Sequence, residues 1–304
     1  MGEGRRNAGM RGCMLCPRSC GAVREAGERG RCGAGAELRV ARAALHFWEE
    51  PPISGECGSG TVFFSYCPLG CRYCQNAEIS HEGFGKPVTV GRLAEIFCEL
   101  AALGAHNINL VTATQYVPQV VEALKRAQGA GMSVPVVFNT SGYELPKTLG
   151  LLDGWADIYL TDLKYVSPQL ALRYSDAEDY PAVALRALVA MVEQVGEYTV
   201  RDGLMTRGVI VRHLLLPGHL DDSLEVLRTS FDAVGNQVCY SLMSQYTPMP
   251  AVMGRHDELS RAVREEEYAR LIDYALDLGI RHSFMQEGDT AEESFIPPFD
   301  LTGV

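Results

Sequence analysis

The sequence predicts an α/β protein: a partial barrel of the (β/α)6 type over residues 51–304, behind a small cysteine-rich, metal-binding cap and linker over residues 1–50. Three observations predict it. From about residue 58 onward, short β-branched or aromatic runs alternate with segments of helical period. Repeated strand–helix units of this length imply a parallel sheet with right-handed crossovers. Finally, seven of the ten cysteines fall into two tight groups near the start, a pattern of metal sites rather than of a disulfide framework.

The first 50 residues are rich in Gly and Arg and carry little periodicity. Within them Cys13-x2-Cys16-x3-Cys20-x11-Cys32 supplies four thiolates, separated by Pro17, Gly27, Gly30 and other turn formers. Four thiolates satisfy tetrahedral zinc and equally hold an Fe–S cluster. Either metal would stabilise a segment that has no core of its own. Next comes AALHFWEEPPISG (Ala43–Gly55), whose paired prolines favour an extended linker across the barrel mouth. Glu49 and Glu50 read as an acidic turn in solvent, and His46 and Trp48 as packing residues.

Strands are expected at Thr61–Tyr66, Asn107–Val111, Val134–Asn139, Asp157–Asp162, Gly208–Leu216, Val238–Met243 and Arg281–Met285. Between them VGRLAEIFCELAALG, YVPQVVEALKRAQGAG and DELSRAVREEEYARLIDYALDLG repeat apolar residues three and four apart, and a Gly ends each run. Gly196–Arg207 interrupts the rhythm and reads as a hairpin or cover. Ligands in such a fold sit at the C-terminal ends of the strands.

A hydrophobic content of 47% suffices for a sizeable core, and a net charge of −11 argues against a generic basic footprint for nucleic acid or an anionic membrane. The opening MGEGRRNAGMRG holds no apolar signal core, and no run approaches the roughly 18 apolar residues of a membrane span. A cytoplasmic protein is expected.

FFSYCPLGCRYCQN places Cys67, Cys71 and Cys74 at Cys-x3-Cys-x2-Cys spacing straight after a hydrophobic strand. Three thiolates this close can converge on one Fe–S cube and leave one iron without a protein ligand. An iron with an open position is what catalysis needs, whereas a closed four-cysteine site transfers electrons or holds structure. Polar residues stand at successive strand ends. Asn109, Thr112 and Thr114 close the second strand, Asn139 and Thr140 the third, and Asp162 and Lys164 the fourth. Arg212 and Gln245 end the fifth and sixth, and His213 points to the opposite strand face.

The cysteine spacing, with Tyr73 before the last cysteine, resembles the signature of the radical S-adenosylmethionine (SAM) superfamily. HFWEEPPISGECGSGTVFFSYC, NINLVTATQYVP, FNTSGYE, DIYLTDLKY, LLLPGH, SLMSQYTP and PPFDLTGV extend the likeness over nearly the whole chain. Together they resemble the stand-alone relatives of pyruvate formate-lyase activating enzyme. The resemblance implies a [4Fe–4S] cluster on Cys67, Cys71 and Cys74, with SAM on its open iron. It also implies Asp162 and Lys164 as SAM contacts, a one-electron reductant such as flavodoxin or ferredoxin, and hydrogen abstraction from a substrate. A glycyl-radical enzyme, another protein or peptide, or a small molecule fits as that substrate. The alternative is a non-catalytic Fe–S protein of electron transfer or redox sensing. The chain departs from the family in places, and the ferredoxin-like, cysteine-rich insert of some activating enzymes is absent. Tyr66 and Pro68 stand where it more often carries Gly and Asn, and NINLVTAT replaces its glycine-rich strand end.

Overall fold

A computed structural model describes residues 12–249, 252, 254, 257–285 and 297–304. Among them ten strands form one sheet. Strand β1 (Arg39–His46) lies antiparallel beside β2 (Ser59–Phe64) and carries the two-residue β3 (Lys86–Pro87) on its other side. From β2 the sheet continues in parallel through β4 (Ile108–Val111), β5 (Val136–Thr140) and β6 (Ile158–Asp162). A hairpin of β7 (Thr199–Arg201) and β8 (Leu204–Leu214) supplies the next parallel member, β8. Then come β9 (Cys239–Met243) and β10 (Ser283–Met285), so seven strands run parallel in chain order. The order ends at β10 on one side and β3 on the other, which makes the sheet an open, partial barrel.

The helices are α1 (Pro51–Ser54), α2 (Ala77–Ser80), α3 (Val90–Ala102), α4 (Val117–Gly129), α5 (Pro146–Leu149), α6 (Pro168–Ser175), α7 (Tyr180–Val195), α8 (Leu220–Val234) and α9 (Glu265–Asp277). Helix α3 shows why they form where they do. The Thr89 side chain caps its first turn by accepting from the Arg92 amide, and Leu93, Ile96, Phe97 and Leu100 bury one face. It stops where Gly104 turns to φ +89°, as Gly131 and Gly279 do just past α4 and α9. No helix among the described residues is long and apolar enough to cross a membrane.

Period-2 alternation splits the core into two layers. Val136, Phe138, Tyr159 and Val209 face the helices, while Val137, Ile158, Leu160, Ile210 and Cys239 face the barrel interior. Ile53 of α1 completes that inner layer, and its carbonyl accepts from Asn107 at the start of β4. The paired prolines therefore open a helix rather than an extended linker, because proline is pre-set for the first helical turn. This helix plugs the N-terminal mouth of the barrel, opposite the strand ends that carry the polar residues.

Two further expectations change. Residues 39–46, which the sequence places in the aperiodic cap, form β1. The run from Asp257 divides, and α9 begins only at Glu265. Glu267 sets that start by accepting from the Arg264 amide at 2.9 Å while pairing with Arg261 at 2.7 Å.

Candidate active site

Beyond β2 the chain passes Ser65 and then Tyr66, which sits at φ +73°. Glycine reaches that region without strain, and a side chain does not. The departure from Gly noted in the sequence thus falls where the backbone calls for one. The Tyr66 ring is clamped: Arg29 donates to its hydroxyl at 2.6 Å, and a Cβ on Gly33 or Gly83 would fall 2.7 or 2.2 Å from ring atoms. The buried amide of Gln115 donates to the carbonyls of Ser65 and Tyr66, both at 3.0 Å.

The turn so fixed brings Cys67, Cys71 and Cys74 onto one cavity of about 240 Å³ at the C-terminal ends of the parallel strands. Burial pushes the Cys67 thiol up to about 12 and Cys71 in the same direction. Unmetallated, these groups stay neutral; a bound cation favours the thiolate form. Two hydroxyls aim at the sulfurs, Ser80 Oγ at Cys74 Sγ (3.3 Å) and Ser175 Oγ at Cys71 Sγ (3.2 Å). A four-iron cube is wider than a single ion, so three thiols around a cavity suit it. The donor set fits the group.

Seven of the nine strand-end candidates line the same cavity: Thr112, Asn139, Thr140, Asp162, Lys164, Arg212 and Gln245. The other two do not. Asn109 lies on the inner face two residues below the rim and donates to Glu49 at 2.9 Å. The hydroxyl of Thr114 is taken by Glu144 at 2.9 Å, which also accepts from Thr140 and so bolts the β4 and β5 ends together. His213 is buried outside the cavity against the Leu163 carbonyl.

Asp162 holds the centre of an ion network, 2.6 Å from Lys164 and 3.0 Å from Arg212. Burial alone would raise its carboxyl, but Lys164 and Arg212 outweigh that and hold it below the usual range. Arg212 also donates to Asn139 at 2.7 Å and reaches Glu49 at 3.5 Å. Glu49 and Glu50 are therefore not an acidic turn in solvent. The α1 plug turns both into the barrel, where burial raises both carboxyls. Two cations face three carboxyl groups, which favours a proton on one glutamate.

In the cap, Cys13 and Cys20 lie within hydrogen-bond reach, and the sulfurs of Cys20 and Cys32 both flank Gly30. Backbone amides address the sulfurs of Cys16, Cys20 and Cys32. Among the described residues, no three His, Cys, Asp or Glu side chains stand ready to hold a metal ion. The quartet is gathered rather than closed.

Sequence reasoning missed Gln115, Glu144, Ser80, Ser175 and the buried glutamates. Gln115 and Glu144 sit in blocks already singled out, TQY and GYE, but nothing local marks them as buried. Ser175 lies 104 residues from the sulfur it serves.

A partial parallel barrel with three thiols and a buried ion network at its C-terminal strand ends defines a class, the partial barrels with a thiol-lined cavity at the strand ends. Comparison gives the family. Residues 61–230, more than half of the chain, match the radical SAM superfamily. The uncharacterized protein MJ0674 of Methanocaldococcus jannaschii is 27% identical over 276 residues, covering 88% of this chain and 76% of that protein. The fold is similar to that of Streptococcus suis SuiB, solved bound to precursor peptide SuiA. The TM-score is 0.51 at 11% identity, over 74% of this chain and 47% of SuiB, so the match spans about half of SuiB's length. The chain belongs to the radical SAM superfamily, whose members are enzymes of radical chemistry built on an Fe–S cluster and SAM.

Proposed function

We propose that Cys67, Cys71 and Cys74 hold a [4Fe–4S] cluster and that the enzyme abstracts hydrogen from a protein or peptide substrate. Bound there, the cluster and SAM supply reductive cleavage of the sulfonium and a 5′-deoxyadenosyl radical. The observation that carries the reading is the single cavity shared by the three thiols and the Asp162–Lys164–Arg212 network. Lys164 offers an ammonium to a carboxylate, and Asp162 a carboxylate to hydroxyls or an amino group. Thr112, Asn139, Thr140 and Gln245 offer neutral donors and acceptors around them. Arg212 fixes Asp162 from the neighbouring strand β8, so that its carboxylate is pre-oriented. The apolar layer under Glu49 keeps bulk water from entering through the opposite mouth.

The open side of the barrel supports a macromolecular substrate, as does the fold shared with peptide-bound SuiB. A glycyl-radical enzyme is one such substrate, and flavodoxin or ferredoxin would supply the electron in the cytoplasm. The cap quartet would carry zinc or a second Fe–S cluster. An electron-transfer protein has no use for a charged cavity beside its cluster, which weighs against that alternative.

The test is 5′-deoxyadenosine release after anaerobic reconstitution with iron and sulfide, addition of SAM, and reduction by dithionite. Release is expected from the wild type and not from the Cys67→Ala, Cys71→Ala, Cys74→Ala variant. A parallel measurement needs no substrate: SAM should change the electron paramagnetic resonance signal of the reduced cluster. A reduced cluster that neither responds to SAM nor cleaves it would sink the reading.

A further inference from the structure

We infer that the cysteine quartet is a tetrathiolate metal site acting as a clamp, whose metal fixes the turn that presents Cys67 through Arg18, Arg24 and Arg29. The inference rests on the assignment of Cys67, Cys71 and Cys74 as the cluster ligands. It adds a task for the cap that neither the fold nor the family supplies.

The first line of evidence is what holds the cap together. From residue 12 to residue 38 only Cys16, Ala22, Ala34 and Leu38 are buried apolar side chains, far too few for a core. Its order comes instead from turns around the sulfurs. The Cys13 amide donates to Ala22, Gly21 donates to Cys13, and Ser19 donates to Cys16. Amides also point at three of the four sulfurs, so the backbone wraps around them. A tetrathiolate metal supplies the stability that packing does not.

The second line is where the cap grips. Arg18, between Cys16 and Cys20, donates from all three guanidinium nitrogens to backbone carbonyls. It donates to Pro68 at 3.1 Å and Leu69 at 3.0 Å, inside the Cys67–Cys71 turn. It also donates to Ser175 at 2.8 Å and to Asp176, where α6 leaves carbonyls unpaired. Ser175 is the residue whose hydroxyl addresses Cys71 Sγ. Arg24 donates to the Gln115 carbonyl at 2.6 Å, and the Gln115 amide holds Ser65 and Tyr66. Arg29 and Gly33 hold the Tyr66 ring.

These contacts meet at the strained residue. Tyr66 at φ +73° directly precedes Cys67. Released from the cap, it would relax toward negative φ and re-aim the Cys67 side chain. The quartet orders the arginines, the arginines order Tyr66 and the turn, and the turn aims the thiol. Arg18 is thus a positioning residue.

The test uses the full chain in the Cys67→Ala, Cys71→Ala, Cys74→Ala background, so the outcome does not depend on a loaded active site. Metal and sulfide analysis comes first. Zinc without sulfide identifies a structural zinc; iron with sulfide identifies a second cluster. Either supports the site if Cys20→Ser with Cys32→Ser abolishes it, and absence of any quartet metal overturns the inference. Hydrogen exchange over residues 65–74 is then compared with exchange in β5 and β6. Loss of the quartet metal, or Arg18→Gln with the metal retained, should each speed exchange in 65–74 about tenfold and leave β5 and β6 unchanged. Arg18→Lys should restore part of the protection. Combining Arg18→Gln with the quartet variant should exchange no faster than the quartet variant alone, because loss of the quartet metal already releases the Arg18 contacts. Unchanged exchange, or effects that multiply, would overturn the clamp. A failed 5′-deoxyadenosine assay would leave these results standing, so the two readings fail separately.

Discussion

Glu144 accepts the hydroxyls of Thr114 and Thr140, and burial pushes its carboxyl up to about 7 against those hydrogen bonds. The folded carboxyl thus titrates above its unfolded counterpart. Stability is full below the unfolded value near 4.5 and falls as pH rises toward 7 and the proton is lost. A rise of this size is worth about 3 kcal/mol by pH 8. Glu144→Gln keeps an oxygen for both threonines and never ionises. Urea unfolding should find it within about 1 kcal/mol of wild type at pH 5, and about 1–3 kcal/mol more stable at pH 8. A difference that does not grow with pH would show that the carboxyl is not held protonated. Lys164 allows a second test at this scale. Lys164→Met leaves Asp162 paired with Arg212, so the protein should fold and load iron normally while SAM affinity falls about tenfold or more. Unaltered affinity by calorimetry would remove Lys164 from the SAM site. The contrast between these residues shows what sequence can disclose. Asp162 and Lys164 are legible because a strand end announces them. The burial of Glu49 depends on Asn109, Asn139 and Arg212, which lie 60 to 163 residues away, and no local pattern encodes that.

Elements were legible where one period dominates. Strands such as VPVVFN and helices such as VGRLAEIFCELAALG carry their own signal, and the glycines after α3, α4 and α9 adopt the left-handed conformation that ends them. β1 escaped because RVARAALH is alanine-rich and looks no more like a strand than like a helix; pairing with β2 decides it. α1 escaped because two prolines signal a linker until a helix starts on them. That short helix does more than connect. Ile53 is fully buried in the inner layer with Val137, Ile158 and Ile210, directly beneath the Glu49–Arg212 network. Ile53→Ala should cost about 2–5 kcal/mol and Ile53→Val about 0.5–1.5 kcal/mol, read by urea unfolding. The larger truncation should also loosen Glu49, so SAM affinity should fall in Ile53→Ala and hold in Ile53→Val. Equal and small losses of stability from both would mean that α1 is not the plug of the barrel.

At the scale of the molecule the partial barrel leaves strand edges to manage, and an uncovered edge invites pairing with another chain. β3 covers β1 only at Arg39 and Val40. Its middle, from Ala41 to Ala43, is covered by residues 297–304, from the far end of the sequence. The Ala43 amide donates to the Thr302 carbonyl at 2.8 Å, and the Leu301 amide donates back to Ala41 at 3.1 Å. Arg42 pairs with Asp300 at 2.7 Å, and Phe299 packs edge-on against Phe63 with ring centroids 5.5 Å apart. The chain that leaves the sheet at β10 thus rejoins it at the opposite edge. Gly303 makes the close approach possible: its φ is +74°, and a Cβ there would fall 2.0 Å from the Ala43 carbonyl oxygen. Gly303→Val meets both obstacles at once and cannot dock without moving the segment. Exchange of the Ala43 amide should rise about tenfold or more, and protease should remove residues 297–304 faster than from wild type. Stability should fall by about 1–3 kcal/mol, with concentration-dependent association as the freed edge finds other strands. Thr302→Val serves as control, since among the described residues its hydroxyl bonds within the turn, to Asp300. If Gly303→Val leaves the Ala43 amide as protected as in wild type, the C-terminal segment is not what covers the edge of β1.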